Sequence, residues 1–301
     1  MSKDKRVDLV KQHYNAVADE YSNQYDSRLL MDLAKPYPAN YFRLQKLLQV
    51  CKDKEVRVAL EVGVGDGTPL AALAENGIDV WGFDLADEMI KKAQHNIASV
   101  GGNREQIILA DIEDNTTYKT LVKDICFDAV IAMGVMPHVE DDITVLQNIT
   151  NLVRQGGTVF VEFRNKLFSL FTFNRNTVEF LMDDLLVDCS GHLKDLVYED
   201  LSKRLRMDMP PIRDKVENSA APGYDAILSK YHNPIELVDL FGTLGYKKIK
   251  LHWYHYHPTM PYLESVDSSA FRQQAIAMEH EMSGWRGYFL ASAFVIEAIK
   301  E

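Results

Sequence analysis

The chain has 301 residues, 47% of them hydrophobic and 26% charged, and a formal net charge of −11. That charge argues against a nucleic-acid partner, which clustered Lys and Arg would have to meet. No stretch approaches the roughly 20 apolar residues that span a bilayer, and Cys51, Cys126 and Cys189 are too scattered for a disulfide frame or a zinc site. The expectation is a cytoplasmic protein with no membrane partner and no metal, acting on a small molecule.

Val7, Val10, Tyr14, Val17 and Tyr21 recur at helical spacing and predict an amphipathic opening helix over residues 7–26. A second helix is expected from Tyr41 to Val50. Val56 to Val62 reads as a strand that breaks into Gly63-Val64-Gly65-Asp66-Gly67, and Leu70 to Ala74 as the helix after it, stopped at Gly77. The alternation then repeats: strand Ile78 to Phe83, helix Ala86 to Val100, strands Gln106 to Ala110 and Phe127 to Met133, helix Asp141 to Arg154, and strand Thr158 to Phe163. Such alternation implies a parallel sheet covered on both faces.

Between Asn165 and His232 the rhythm is lost, and the stretch reads as helices, with 178–187 the clearest. Asn233-Pro234-Ile235-Glu236 restores it, with Asn as N-cap and Pro at the first helical position. Tyr246 to Tyr256, a helix from Ser268 to Met282 and a strand from Tyr288 to Ile296 close the chain. Four segments result: N-terminal helices at 1–54 as a lid, a core at 55–164, a helical insertion at 165–232 as a cap, and closing elements at 233–301.

Gly63, Gly65 and Gly67 lie between a strand and a helix, where glycine lets a ligand approach the backbone. Dinucleotide, flavin and adenosyl ligands all use such a turn. Glu61 stands in an apolar strand end, where a carboxylate is costly unless it meets a cation or donor. Asp84 and Asp111 end the next two strands, the first placed to accept from two ribose hydroxyls and the second to receive an adenine amine.

These residues carry a resemblance. Leu60 to Thr68, Gly82 to Ile90, Ala110-Asp111-Ile112, Phe127 to Ile131 through His138-Val139-Glu140-Asp141, and Arg154 to Thr158 resemble the ordered motifs of class I S-adenosylmethionine-dependent methyltransferases. The resemblance implies a Rossmann-like, seven-stranded α/β sheet with helices on both faces and a mainly helical insertion after the fifth strand. It implies S-adenosylmethionine as cofactor, its methionine end at Glu61 and the Gly63–Gly67 backbone. Asp84 would hold the ribose, Asp111 and Ile112 the adenine, and Leu85, Met89 and Met133 would line the site. Tyr14 and Tyr21, on one helix face, are candidates for a lid over the sulfonium. Two other readings stay open: a non-catalytic subunit that kept the fold, and a nicotinamide-dependent oxidoreductase.

The acceptor is less legible. His138, five residues past the fourth strand, is the candidate base or acceptor contact; Arg164 and Asn165 are candidates for an anionic acceptor. Strand alternation puts Trp253, His255 and His257 on one face and His252, Tyr254 and Tyr256 on the other, making His255 and His257 further acceptor candidates. The expected reaction is methyl transfer to nitrogen or oxygen of a small polar metabolite, sugar-derived or phosphorylated. The oligomeric state is not readable.

Overall fold

The aliphatic runs form one seven-stranded sheet in the order β3-β2-β1-β4-β5-β7-β6. In this computed structural model, residues 3–18, 25–123 and 125–301 are described. Two helices, α1 (Lys3–Val17) and α2 (Ala39–Asp53), precede β1 (Val58–Val62). Then come α3 (Thr68–Glu75), β2 (Asp79–Asp84), α4 (Asp87–Ser99), β3 (Ile107–Leu109), β4 (Phe127–Ala132) and β5 (Val153–Arg164). β6 (Tyr246–Tyr256) and β7 (Ala291–Lys300) finish the sheet, β7 running antiparallel to both its neighbours. All other pairings are parallel. The carboxyl ends of β1, β2, β4, β5 and β6 therefore share one edge, where ligands of open α/β sheets bind.

Burial on both faces explains the unbroken apolar runs. Leu60, Val130, Val161 and Phe294 pack on one side, with the helix Asp142–Leu152 covering them through Val145, Leu146 and Ile149. Ala59, Ile131 and Phe160 face the other side with Leu47 of α2, Leu70 and Leu73 of α3, and Ala93 and Ile97 of α4.

Several boundaries differ from expectation. The opening helix stops at Val17, and Tyr21 lies outside the described residues. The insertion holds the helices Ser169–Thr172, Arg175–Phe180 and Gly191–Ser202, so the expected helix over 178–187 is only partly helical in the α sense, passing into a π turn at Leu181–Leu185. The helix from Ser268 ends at Met278, because Glu279 turns inward to accept the Tyr256 backbone N–H at 3.0 Å.

The expected facing of β6 fails at one residue. His255 has φ of +59°, a left-handed conformation that breaks the pleat. Parity flips there: Tyr256 joins Trp253 on the Phe294 side, while His255 lies against Tyr37 at 5.8 Å on the side of Tyr254. His252 is spent on Glu297, whose carboxylate it meets at 2.8 Å.

Gly67 caps α3 at φ of +78°, and a Cβ there would stand 2.8 Å from the Ala93 Cα of α4. The third glycine thus lets two helices approach. Gly67→Ala is expected to lower stability by about 1–3 kcal/mol, through both the strained φ and the overpacking, as read from a denaturant midpoint.

Candidate cofactor and acceptor site

A cavity opens at the carboxyl ends of β1, β2 and β4 under α1. Its walls are Gly63 and Gly65, Asp84 to Ala86 and Met89, Ala110 to Glu113, Met133 to Val135, and His138 and Val139. Arg6, Val10, Lys11 and Tyr14 of α1 roof it. Gly63 and Gly65 have φ of +67° and +55°, and Gly63 is hemmed by Val135, whose methyl would be 2.4 Å from an added Cβ.

The turn orders the acid that follows β2. Asp84 accepts the Gly65 N–H and the Ala86 N–H, each at 2.9 Å and each on a different oxygen. Burial raises its pKa, and these amides oppose the shift. The carboxylate keeps capacity to accept a further hydroxyl donor. Asp111 is aimed by the Glu113 N–H at 2.8 Å. Glu61 is 2% exposed, and its Oε2 has no hydrogen-bond partner. Burial pushes its carboxyl well above the usual range, against the pull of Arg43 and with the repulsion of Asp66 and Asp84. Such an oxygen is suited to a cationic ligand group.

Arg6, His13 and Tyr14 tie α1 to the cavity and the insertion. Arg6 donates to the His138 carbonyl at 2.8 Å and pairs with Glu113 at 2.6 Å. His13 Nδ1 meets the Pro222 carbonyl at 2.8 Å. Tyr14 Oη meets His138 Nε2 at 2.8 Å, while His138 Nδ1 meets the Leu228 carbonyl at 2.7 Å. A carbonyl only accepts, so Nδ1 carries the proton and Nε2 accepts from the phenol. Burial lowers the pKa of His138 to about 4, with the nearby Arg164 adding to the effect, so the ring is neutral at pH 7.

Beyond His138 lie the acceptor candidates of the later strands. The Arg164 guanidinium sits 4.2 Å from the Tyr224 ring centroid, and Tyr224 lies 5.4 Å edge-on from His138. His255 and His257 are 5.0 Å apart, His257 resting 4.8 Å from Phe168 of the insertion. Although His255 is exposed at its surface, desolvation by the protein around it and the charge of Arg164 lower its pKa to about 4; His257 is lowered well below the usual range, chiefly by burial.

Residues 60–161 match the family described as methyltransferase domain. Residues 60–161 thus carry a methyltransferase domain. A ubiquinone biosynthesis O-methyltransferase of Bordetella avium (strain 197N) is 34% identical over 149 residues, 49% of this chain and 56% of the relative. The same-named protein of Paracidovorax citrulli (strain AAC00-1) is 35% identical over 130 residues, 42% and 48% of the two chains. The chain thus spans about half the length of the curated relatives it matches. Among solved structures, an S-adenosylmethionine-dependent methyltransferase of Thermotoga maritima aligns over 96% of this chain and 98% of its own, with TM-score 0.52 and 16% identity. Magnesium protoporphyrin IX methyltransferase of Synechocystis aligns over 98% and 99%, with TM-score 0.51 and 13% identity. At those identities the likeness concerns the fold.

Within the methyltransferase domain the structure brings Gly63, Gly65, Asp84, Leu85, Met89, Asp111, Ile112, Met133 and His138 around one cavity, with Tyr14 above them. Two expected residues do other work. Gly67 faces α4, and Asn165 spends its amide on the Tyr288 and Ala291 carbonyls, both at 2.8 Å, while its oxygen accepts the Leu167 N–H. Asn165 therefore ties the insertion to β7 rather than facing a ligand.

Sequence reasoning missed a buried pair. Arg43 of α2 is 2% exposed and pairs with Glu162 of β5; it also donates to Tyr25 Oη at 2.6 Å, and Tyr254 donates to Glu162 at 2.5 Å. The signal existed: Arg43 stands one helical turn from both Ala39 and Leu47 on the buried face of α2, and Glu162 interrupts the apolar run of β5. Two charges written into apolar faces call for each other.

The depressed His138 pKa carries a stability consequence. Between pH 6.5 and about 4 the unfolded chain binds a proton there that the native chain does not. This contribution is complete above pH 6.5 and drains away as pH falls. His138→Gln should be destabilised at pH 7, and its deficit against wild type should shrink by about 2 kcal/mol by pH 5. Urea unfolding of both proteins at the two pH values checks this; a pH-independent deficit contradicts it.

Proposed function

We propose that the whole chain is a methyltransferase that moves the methyl group of S-adenosylmethionine to a nitrogen or oxygen of a small polar metabolite. The observation that carries the reading is the Asp84 carboxylate, anchored by the Gly65 and Ala86 amides at the mouth of the turn. That arrangement suits a ribose diol, and the unpartnered Glu61 Oε2 suits the cofactor's ammonium. Met89 and Leu85 offer apolar contacts, and Asp111 and Ile112 face the adenine end.

The cofactor supplies an electrophilic methyl group on a good leaving group, displaced in line. The protein's task is alignment and exclusion of water. Tyr14 and Arg6 close the roof of α1 over the cavity, acting as a lid, and residues 165–232 act as the cap of the acceptor chamber. His138 orients the Tyr14 phenol; with both its nitrogens bonded and a pKa near 4, it serves in positioning more readily than as a base. The named relatives methylate oxygen in ubiquinone biosynthesis by their printed names. The domain match ends at residue 161, before Arg164 and the cap, so the acceptor here is a separate matter.

Asp84→Ala is expected to weaken S-adenosylmethionine binding about a hundredfold or more, with the circular dichroism spectrum unchanged. Calorimetric titration with S-adenosylmethionine, S-adenosylhomocysteine and NAD decides it. Full adenosyl affinity in the folded variant removes Asp84 from the ribose site, and wild-type binding of NAD alone overturns the methyl-transfer reading.

A further inference from the structure

Arg164 is the last residue of β5, on the sheet edge where the other site residues lie. Arg6, Arg43, Arg213 and Arg272 each hold a carboxylate. The Arg164 guanidinium makes no hydrogen bond or ion pair to any described residue. Glu162, whose field it feels, is committed to Arg43 and to the Tyr254 hydroxyl.

Its surroundings add no compensating charge. One face lies on Tyr224, 4.2 Å from the centroid, with Tyr231 at 5.7 Å. Arg213 approaches the same Tyr224 ring at 5.0 Å but is neutralised by Asp225. His138 and His255 both feel the positive charge of Arg164, and both are neutral at pH 7. Stacking on an aromatic face fixes the plane of a guanidinium and leaves its N–H fork free to bind in the plane. A partly buried guanidinium stacked on an aromatic ring, with no hydrogen-bond or ion-pair partner among the described residues, is disposed to take an anionic ligand group. Its neighbours Tyr14 and His138 also line the donor cavity, so a group held there hands the rest of its molecule toward the donor.

We propose that Arg164, stacked on Tyr224, binds an oxyanion carried by the methyl acceptor, either a carboxylate or a phosphate monoester. The proposal rests on the methyl-transfer reading for the word acceptor, and on Arg164 alone for the anion. Bidentate oxyanion binding is the chemistry common to both groups.

The test is calorimetric titration of the full chain with benzoate, phenyl phosphate and neutral benzamide, with and without saturating S-adenosylhomocysteine. Wild type, Arg164→Gln and Arg164→Lys are compared. At least one anion is expected to bind while benzamide does not. Arg164→Gln should lower anion affinity about tenfold or more, and Arg164→Lys should retain part of it. S-adenosylhomocysteine affinity should be unchanged in both variants, which also reports that they fold. A preference for phenyl phosphate assigns a phosphate ester, and a preference for benzoate assigns a carboxylate. Equal anion binding by Arg164→Gln, benzamide binding as well as benzoate, or no anion binding to wild type in either state overturns the proposal. Anion binding that depends on Arg164, in a protein that ignores S-adenosylhomocysteine, upholds the anion site and sinks the methyl-transfer reading instead.

Discussion

Two hydrogen bonds on the His138 imidazole join parts of the chain that lie 124 and 90 residues away in sequence. One nitrogen accepts from Tyr14 of the first helix, and the other donates to Leu228 in the inserted segment. Each bond fixes the direction of the other, since a neutral imidazole has one donor and one acceptor. Arg6 reinforces the junction through the backbone carbonyl of the same residue. Removing the proton from Nδ1 would set its lone pair against the Leu228 carbonyl, whereas the Tyr14 hydroxyl can turn to accept if Nε2 is protonated. The burial that keeps the ring neutral makes Tyr14 the donor and His138 the acceptor in their bond.

The sheet positions this junction without contributing to its chemistry. Parallel pairing of β1, β2, β3, β4 and β5 brings their carboxyl ends to one edge, and antiparallel β7 lets β6 return its own end there. The cavity lined by residues of 60–161 and the cluster of Arg164, Tyr224 and His138 are consequently neighbours in space, although Arg164 and Tyr224 lie beyond that segment. Asn165 clamps the transition between them by giving its amide to the Tyr288 and Ala291 carbonyls of the last strand's approach.

Legibility in the sequence followed the range of the forces involved. The strands, the glycine turn and the acids at Asp84 and Asp111 depend on local spacing, and they stand at one edge as the motifs imply. Gly67 and Asn165 looked like ligand contacts because their residue types permit it; what occupies them is a helix and a strand that only the folded chain brings near. The facing of β6 was misread because alternation assumes an extended backbone at every residue, and His255 departs from it. Arg43 and Glu162 were legible as anomalies in apolar faces, but pairing them needs the distance between α2 and β5, which no spacing rule supplies.

The parity change at His255 has an effect on what β6 can tolerate. A strand with perfect alternation gives each face a fixed alphabet, and any residue can be exchanged within its class. Near its end the strand changes alphabet at His255, so Tyr256 must be written in the letters of Trp253 and His255 in those of Tyr254. Drift along this strand is therefore correlated across that residue: a lineage that straightened the backbone would transpose its two final side chains. The histidine would move to the Trp253 side and the tyrosine to the Tyr254 side, exchanging an imidazole for a phenol without a change in the composition of the strand.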